Sequence, residues 1–131
     1  MATLKQPEPK NHPIAATMGT SAYVWRVGAR VVLRAGREHL TVEVSGELDL
    51  GSDRDVLVAL LPAIDGGRPV HLDLGGVDFL GSHGLRCLVA ANERAAERGT
   101  ELIIVRLSTA ARRTIELTGL DRVLTIADVP I

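Results

Sequence analysis

Aromatic side chains are almost missing from this sequence: one Phe, one Tyr and one Trp in 131 residues. Three rings cannot build the stacking platforms of single-strand nucleic-acid binders or the aromatic walls of pockets for flat ligands. Cysteine is scarcer still, since Cys87 alone permits neither an intramolecular disulfide nor a multi-cysteine zinc site. Nor does one charge dominate. Fifteen Lys+Arg stand against sixteen Asp+Glu, a net charge of -1, so no global positive field draws the chain to phosphate backbones, and direct nucleic-acid binding is not expected. No apolar run approaches the roughly 20 residues of a membrane span. The first ten residues, MATLKQPEPK, carry prolines and charges where a secretory signal has its apolar stretch. The expectation is a cytoplasmic protein with no membrane partner.

What is present is aliphatic, with 46% hydrophobic residues in a length that suits one domain burying roughly two-thirds of its unfolded surface. Residues 1–27 read as a flexible tail: Pro7, Pro9 and Pro13 among polar residues favour an extended, solvated segment. Within it Met18 is an alternative start, and Tyr23-Val24-Trp25 is the stretch suited to pack back on the domain, which spans residues 28–131. Two strands follow around a turn at Gly36, residues 30–34 and 40–45. In the second, Leu40, Val42 and Val44 alternate with Thr41, Glu43 and Ser45, the period of a half-buried strand. Ser52 is placed to cap a first helix with Asp53 and Asp55 in its first turn and Val56, Leu57, Leu60, Leu61 and Ile64 as its apolar stripe; Pro62 is expected to kink or end it. A third strand over 69–74, a turn at Gly75-Gly76, a second helix from the region of Ser82 to Arg98, and a strongly apolar strand over 101–107 come next. Ser108 caps a third helix that Gly119 closes with Leu120 beyond it, and residues 123–126 read as a last short strand. The predicted order is ββαβαβαβ: an α/β domain with a mixed, mostly parallel sheet of about five strands and three to four helices.

Most catalytic constellations fail. There is no phosphate-cradling P-loop with its lysine and no dinucleotide-binding glycine pattern after the first strand. His12, His39, His71 and His83 lack metal-ligand spacing, so no metal and no cofactor is expected; His71, between Val70 and Leu72, reads as a satisfied structural histidine. Gly81-Ser82-His83-Gly84 approaches a hydrolase nucleophile elbow, but Leu80 stands where the first glycine belongs and His83 adjoins the serine it would have to activate. A small serine hydrolase is therefore the remote alternative, and no catalytic residue is assigned. The plainest role for Ser82 is to cap the second helix. A sharper role is compatible with that one: a hydroxyl at a helix start lies where backbone N–H groups and the helix dipole stabilise a phosphoryl group, and phosphorylation adds about -1.5 to -2 of charge at one point.

Three ordered motifs then stand out: Gly46-Glu47-Leu48-Asp49; Leu72-Asp73-Leu74-Gly75-Gly76-Val77-Asp78-Phe79-Leu80-Gly81-Ser82-His83-Gly84-Leu85; and Leu117-Thr118-Gly119-Leu120-Asp121. Together, over residues 30–128, they resemble the STAS domain of bacterial anti-sigma factor antagonists. The resemblance implies a small α/β domain, not an enzyme, whose serine at the strand-to-helix turn is phosphorylated by an anti-sigma factor that is also a serine kinase. Unmodified, such an antagonist binds the anti-sigma factor and frees the sigma factor; a serine phosphatase resets it. By position Ser82 corresponds to the phosphoacceptor, and Glu47, Asp49, Gly81, Ser82, His83, Gly84 and Leu85 to the partner-docking face. In the family the turn usually reads Asp-Ser-Ser/Thr/Ala-Gly-Leu, so Gly81 replaces an acid and His83 a small residue. Those departures motivate the alternative of a STAS scaffold or transport accessory module that is never phosphorylated.

Overall fold

The computed structural model describes Ala22–Arg26 and residues 29–127. Strands β1 (Ala22–Arg26), β2 (Ala29–Ala35) and β3 (Leu40–Leu48) are followed by helix α1 (Ser52–Asp65), strand β4 (Val70–Leu80), helix α2 (Ser82–Arg98), strand β5 (Leu102–Leu107) and helix α3 (Thr109–Thr118), after which Leu120–Arg122 make a single 3-10 turn. The five strands form one sheet in chain order, β1-β2-β3-β4-β5. Pairing is antiparallel from β1 to β3 and parallel from β3 to β5.

The sheet is the mixed α/β sheet of about five strands that the sequence predicts, but its fifth member lies at the other end of the chain. Ala22–Arg26, assigned by sequence to the tail, pairs with β2 from Ala22 opposite Arg34 to Arg26 opposite Arg30; its β-branched and aromatic residues favour a strand, and the prolines upstream masked that signal. Conversely, residues 123–126 supply only one bridge, Ile126 to Ile104, because the Val123 and Leu124 N–H groups are spent on the Leu120 carbonyl of the preceding turn. The rest of the expected tail over residues 1–27, namely residues 1–21 and 27, lies outside the described residues.

Two other boundaries move. Gly75-Gly76 is not a turn: β4 runs through it to Leu80. Its pairing with β3 shifts register between Glu43 and Ser45 and again between Gly46 and Glu47. The glycines make this possible, since a Cβ on Gly76 would stand 2.7 Å from the Cβ of Ser45. Pro62 neither ends nor breaks α1, which continues to Asp65. Pro62 and Val58, one turn earlier, both lie on the exposed side, where the lost backbone bond costs least. Ser108 does cap α3, its Oγ accepting the Ala111 N–H at 3.0 Å, and Gly119 closes that helix at φ +78.

Two consecutive crossovers that step the same way across a sheet place their helices on one face. α1 and α2 lie together there, tied by Arg94 and Arg98 to Asp65 at 2.8 and 3.0 Å. One hydrophobic cluster joins them to α3 and to the inward residues of the sheet, among them Val42, Val44, Leu72, Leu74, Leu102 and Ile104. The opposite face carries Thr41, Glu43, Ser45, His71 and Asp73, half-buried, with ion pairs from Arg34 to Glu43 and Arg106 to Asp73. Among the described residues no helix is long and apolar enough to cross a membrane.

Candidate functional site

Parallel pairing sets the carboxyl ends of β3 and β4 side by side, with Glu47 opposite Phe79 and Leu48 opposite Leu80. The chain leaves β3 through residues 49–51 into α1 and leaves β4 through Gly81 into α2. One loop and two helix starts therefore meet at a single edge. Gly51, at φ +97, makes the sharp turn into α1 and is its N-cap. Ser52 is thus not the cap expected from sequence but the first helical residue, and it is buried. Its hydroxyl turns back into the loop, donating to the Glu47 carbonyl at 2.7 Å and accepting the Asp49 N–H at 3.0 Å.

The start of α2 is pressed onto the end of β3. Gly81 N–H donates to the Leu48 carbonyl at 3.0 Å, and a Cβ on buried Gly84 would stand 2.3 Å from that same oxygen. Ser82 does not cap α2 either: Gly81 is the N-cap and makes no side-chain cap bond. The donor that a capping side chain at position 81 would satisfy, the His83 N–H, is taken from across the edge by Asp49 Oδ1 at 3.1 Å. His83 Nδ1 lies 3.6 Å from the same oxygen. With the capping task met by Asp49, Ser82 presents its side chain to solvent at the positive end of a 17-residue helix.

All seven residues assigned from sequence gather at this edge, in different roles. Glu47 and Ser82 are exposed, Asp49, Gly81, His83 and Leu85 half-buried, and Gly84 lies beneath as the point of close approach. Sequence reasoning missed two neighbours, Leu50 and Phe79, which expose 75% and 51% of their surface. The signals were available: Leu50 falls just outside the strand alternation, and Phe79 is the one phenylalanine of an aromatic-poor chain. Exposed apolar side chains rimmed by polar ones mark protein contact surfaces.

A family model described as "Mlab, STAS domain" matches residues 31–126. The chain belongs to the STAS domain family. This STAS domain is 31% identical over 93 residues to an anti-sigma-B factor antagonist of Listeria monocytogenes, covering 70% of the chain and 82% of the relative. It is 32% identical over 82 residues to the anti-sigma-F factor antagonist RsfB of Mycobacterium tuberculosis, covering 62% and 66%. Among solved structures, an anti-sigma factor antagonist from Mycobacterium paratuberculosis superposes with a TM-score of 0.69 at 30% identity, over 77% of this chain and 86% of that one. Phosphorylated SpoIIAA of Bacillus shares the fold, with a TM-score of 0.55 at 17% identity over 82% and 91%. These relatives are named for antagonism of anti-sigma factors, a regulatory activity and not an enzymatic one.

One pair of histidines that the sequence leaves scattered does come together, far from Ser82 along the strands. His39 and His71 stack with ring centroids 3.9 Å apart and planes 19° apart, beside the amino ends of β3 and β4. Partial burial, and then the charge of His39, push the pKa of His71 down.

Proposed function

We propose that this STAS domain is an anti-sigma factor antagonist that binds an anti-sigma factor with serine kinase activity, frees a sigma factor, and is switched off by phosphorylation of Ser82. The observation that carries this reading is exposed Ser82 at the start of α2, on the edge where the β3 and β4 ends also bear exposed Glu47, Leu50 and Phe79. In the reaction proposed, Ser82 Oγ attacks the γ-phosphorus of ATP; the new Oγ–P bond replaces the bond to the ADP oxygen, the hydroxyl proton passes to a base of the kinase, and ADP leaves. A serine phosphatase restores the hydroxyl by hydrolysis. The docking face comprises Glu47, Asp49, Gly81, Ser82, His83, Gly84 and Leu85, with Leu50 and Phe79 added from the geometry. Such partners place the protein in the cytoplasm.

The charge arithmetic supports a switch. A phosphate adds about -1.5 to -2 to a chain whose net charge is -1, at the centre of a small contact surface, where like charge or a desolvated anion costs several kcal/mol. Incubation with the candidate kinase and ATP, followed by mass spectrometry, is expected to find phosphate on Ser82. Ser82→Asp is expected to weaken the complex at least tenfold, the equivalent of about 1.4 kcal/mol, while Ser82→Ala preserves it. Phosphate on another residue, or equal affinities for both variants, would overturn the reading. Gly81 and His83 favour the second reading, a STAS scaffold or transport accessory module that is never modified; recovery of a transporter or assembly complex in place of a kinase by affinity capture would select it.

A further inference from the structure

Gly81 is not required for its backbone, since its φ of -96 and ψ of -175 are extended values that any residue adopts. Space is what excludes a side chain. A Cβ at this position would stand 2.2 Å from both Cγ and Oδ1 of Asp49. The Asp49 carboxylate fills the volume a side chain at position 81 would need, and from there it accepts the His83 N–H and faces the His83 ring. The loop behind it is held by the Ser52 hydroxyl and by the Asp53 N–H, which donates to the Asp49 carbonyl at 2.9 Å. The carboxylate itself is about a third exposed, at 36%, so it can swing out without tearing the core.

A phosphate on Ser82 would be a second and stronger anion on the same first turn. Carried by the residue next to His83, it would compete for the donor that Asp49 holds and repel the carboxylate. We infer that Asp49 is a carboxylate latch, closed onto α2 in the unmodified domain and displaced by a phosphate on Ser82, so that the modification reaches the partner as release of residues 49–51. The inference rests on Ser82 being the phosphorylated residue.

The test uses the full chain with phosphoserine installed at position 82 during synthesis, compared with the unmodified chain by amide hydrogen exchange. Exchange at the Asp49, Gly51 and Asp53 amides is expected to rise about tenfold or more in the phosphoserine chain, with β5 and α3 unchanged. Gly81→Ala places a methyl group where the carboxylate sits and is expected to open the same amides without phosphate. Asp49→Asn keeps an acceptor for the His83 N–H but removes the charge, and is expected to keep them closed when phosphate is present. Unchanged exchange at these amides in the phosphoserine chain, or equal opening in Asp49→Asn, would overturn the latch. Because the phosphate is installed directly, this result is independent of which residue a kinase selects, which the mapping experiment decides separately.

Discussion

The buried hydroxyl of Ser52 shows how one side chain can shape a site it does not enter. It satisfies a backbone donor and a backbone acceptor of the loop that carries Asp49, and its removal would leave both without a partner in a place water reaches poorly. Ser52→Ala is therefore expected to destabilise the domain by about 1–3 kcal/mol, the range for stranding buried polar groups, as read by denaturant unfolding. A loss below about 0.5 kcal/mol would show that water replaces the hydroxyl. Sequence reading placed Ser52 at the right helix start yet assigned it the commoner role of cap. The same displacement occurs at Ser82. The causes differ: at α1 the positive-φ Gly51 takes the cap position and the Ser52 hydroxyl turns back into its own loop, whereas at α2 the terminus is completed by Asp49 from another loop, and local pattern carries no information about which carboxylate lies across the edge.

At the scale of elements, α1 and α2 are clamped at their carboxyl ends by Asp65 between Arg94 and Arg98. The hydrogen bond from Arg94 is the main cause that holds the Asp65 carboxyl down to about 2 from an ordinary 3.8; desolvation opposes it, and the Arg98 hydrogen bond and the charges of both arginines add to the lowering. A carboxyl depressed in the folded state contributes its stability fully above the unfolded value, and loses it as pH falls through the folded one. Asp65→Asn is thus expected to be less stable than the parent chain at neutral pH, with the gap closing between about pH 4 and pH 2 in parallel acid unfolding curves. A gap independent of pH in that window would assign the effect to packing. Because the carboxylate is partly solvated, salt is expected to shrink it too. Helix periodicity, the Ser108 cap and the Gly119 stop were all legible in the sequence, because each is a local device. The run of β4 through Gly75-Gly76 was not: glycine pairs usually break strands, and only the close approach of Ser45 from β3 to Gly76 and of the Asp73 and Arg106 side chains to Gly75 explains their use within one.

At the scale of the whole molecule, a single hydrophobic cluster links three helices to one face of the sheet. No described helix has a core of its own, so the elements are expected to unfold together. Cys87 is placed to report this. It lies on the inner side of α2 at 2% exposure, and burial pushes its thiol pKa up to about 12, which removes the thiolate that reacts with disulfide reagents. In the native protein, labelling at pH 8 is expected to be slower than for a free cysteine by on the order of a thousandfold or more, since a domain of even about 5 kcal/mol stability opens globally that seldom. Sub-denaturing urea is expected to accelerate labelling with the slope of global unfolding, because exposing Cys87 means detaching α2 from both α1 and the sheet. Labelling at the rate of an exposed thiol, or with no urea dependence, would mean that α2 opens on its own. In that case the start of α2, with Ser82 and the Asp49 contact, would belong to a mobile unit and not to the rigid edge on which a charge switch depends.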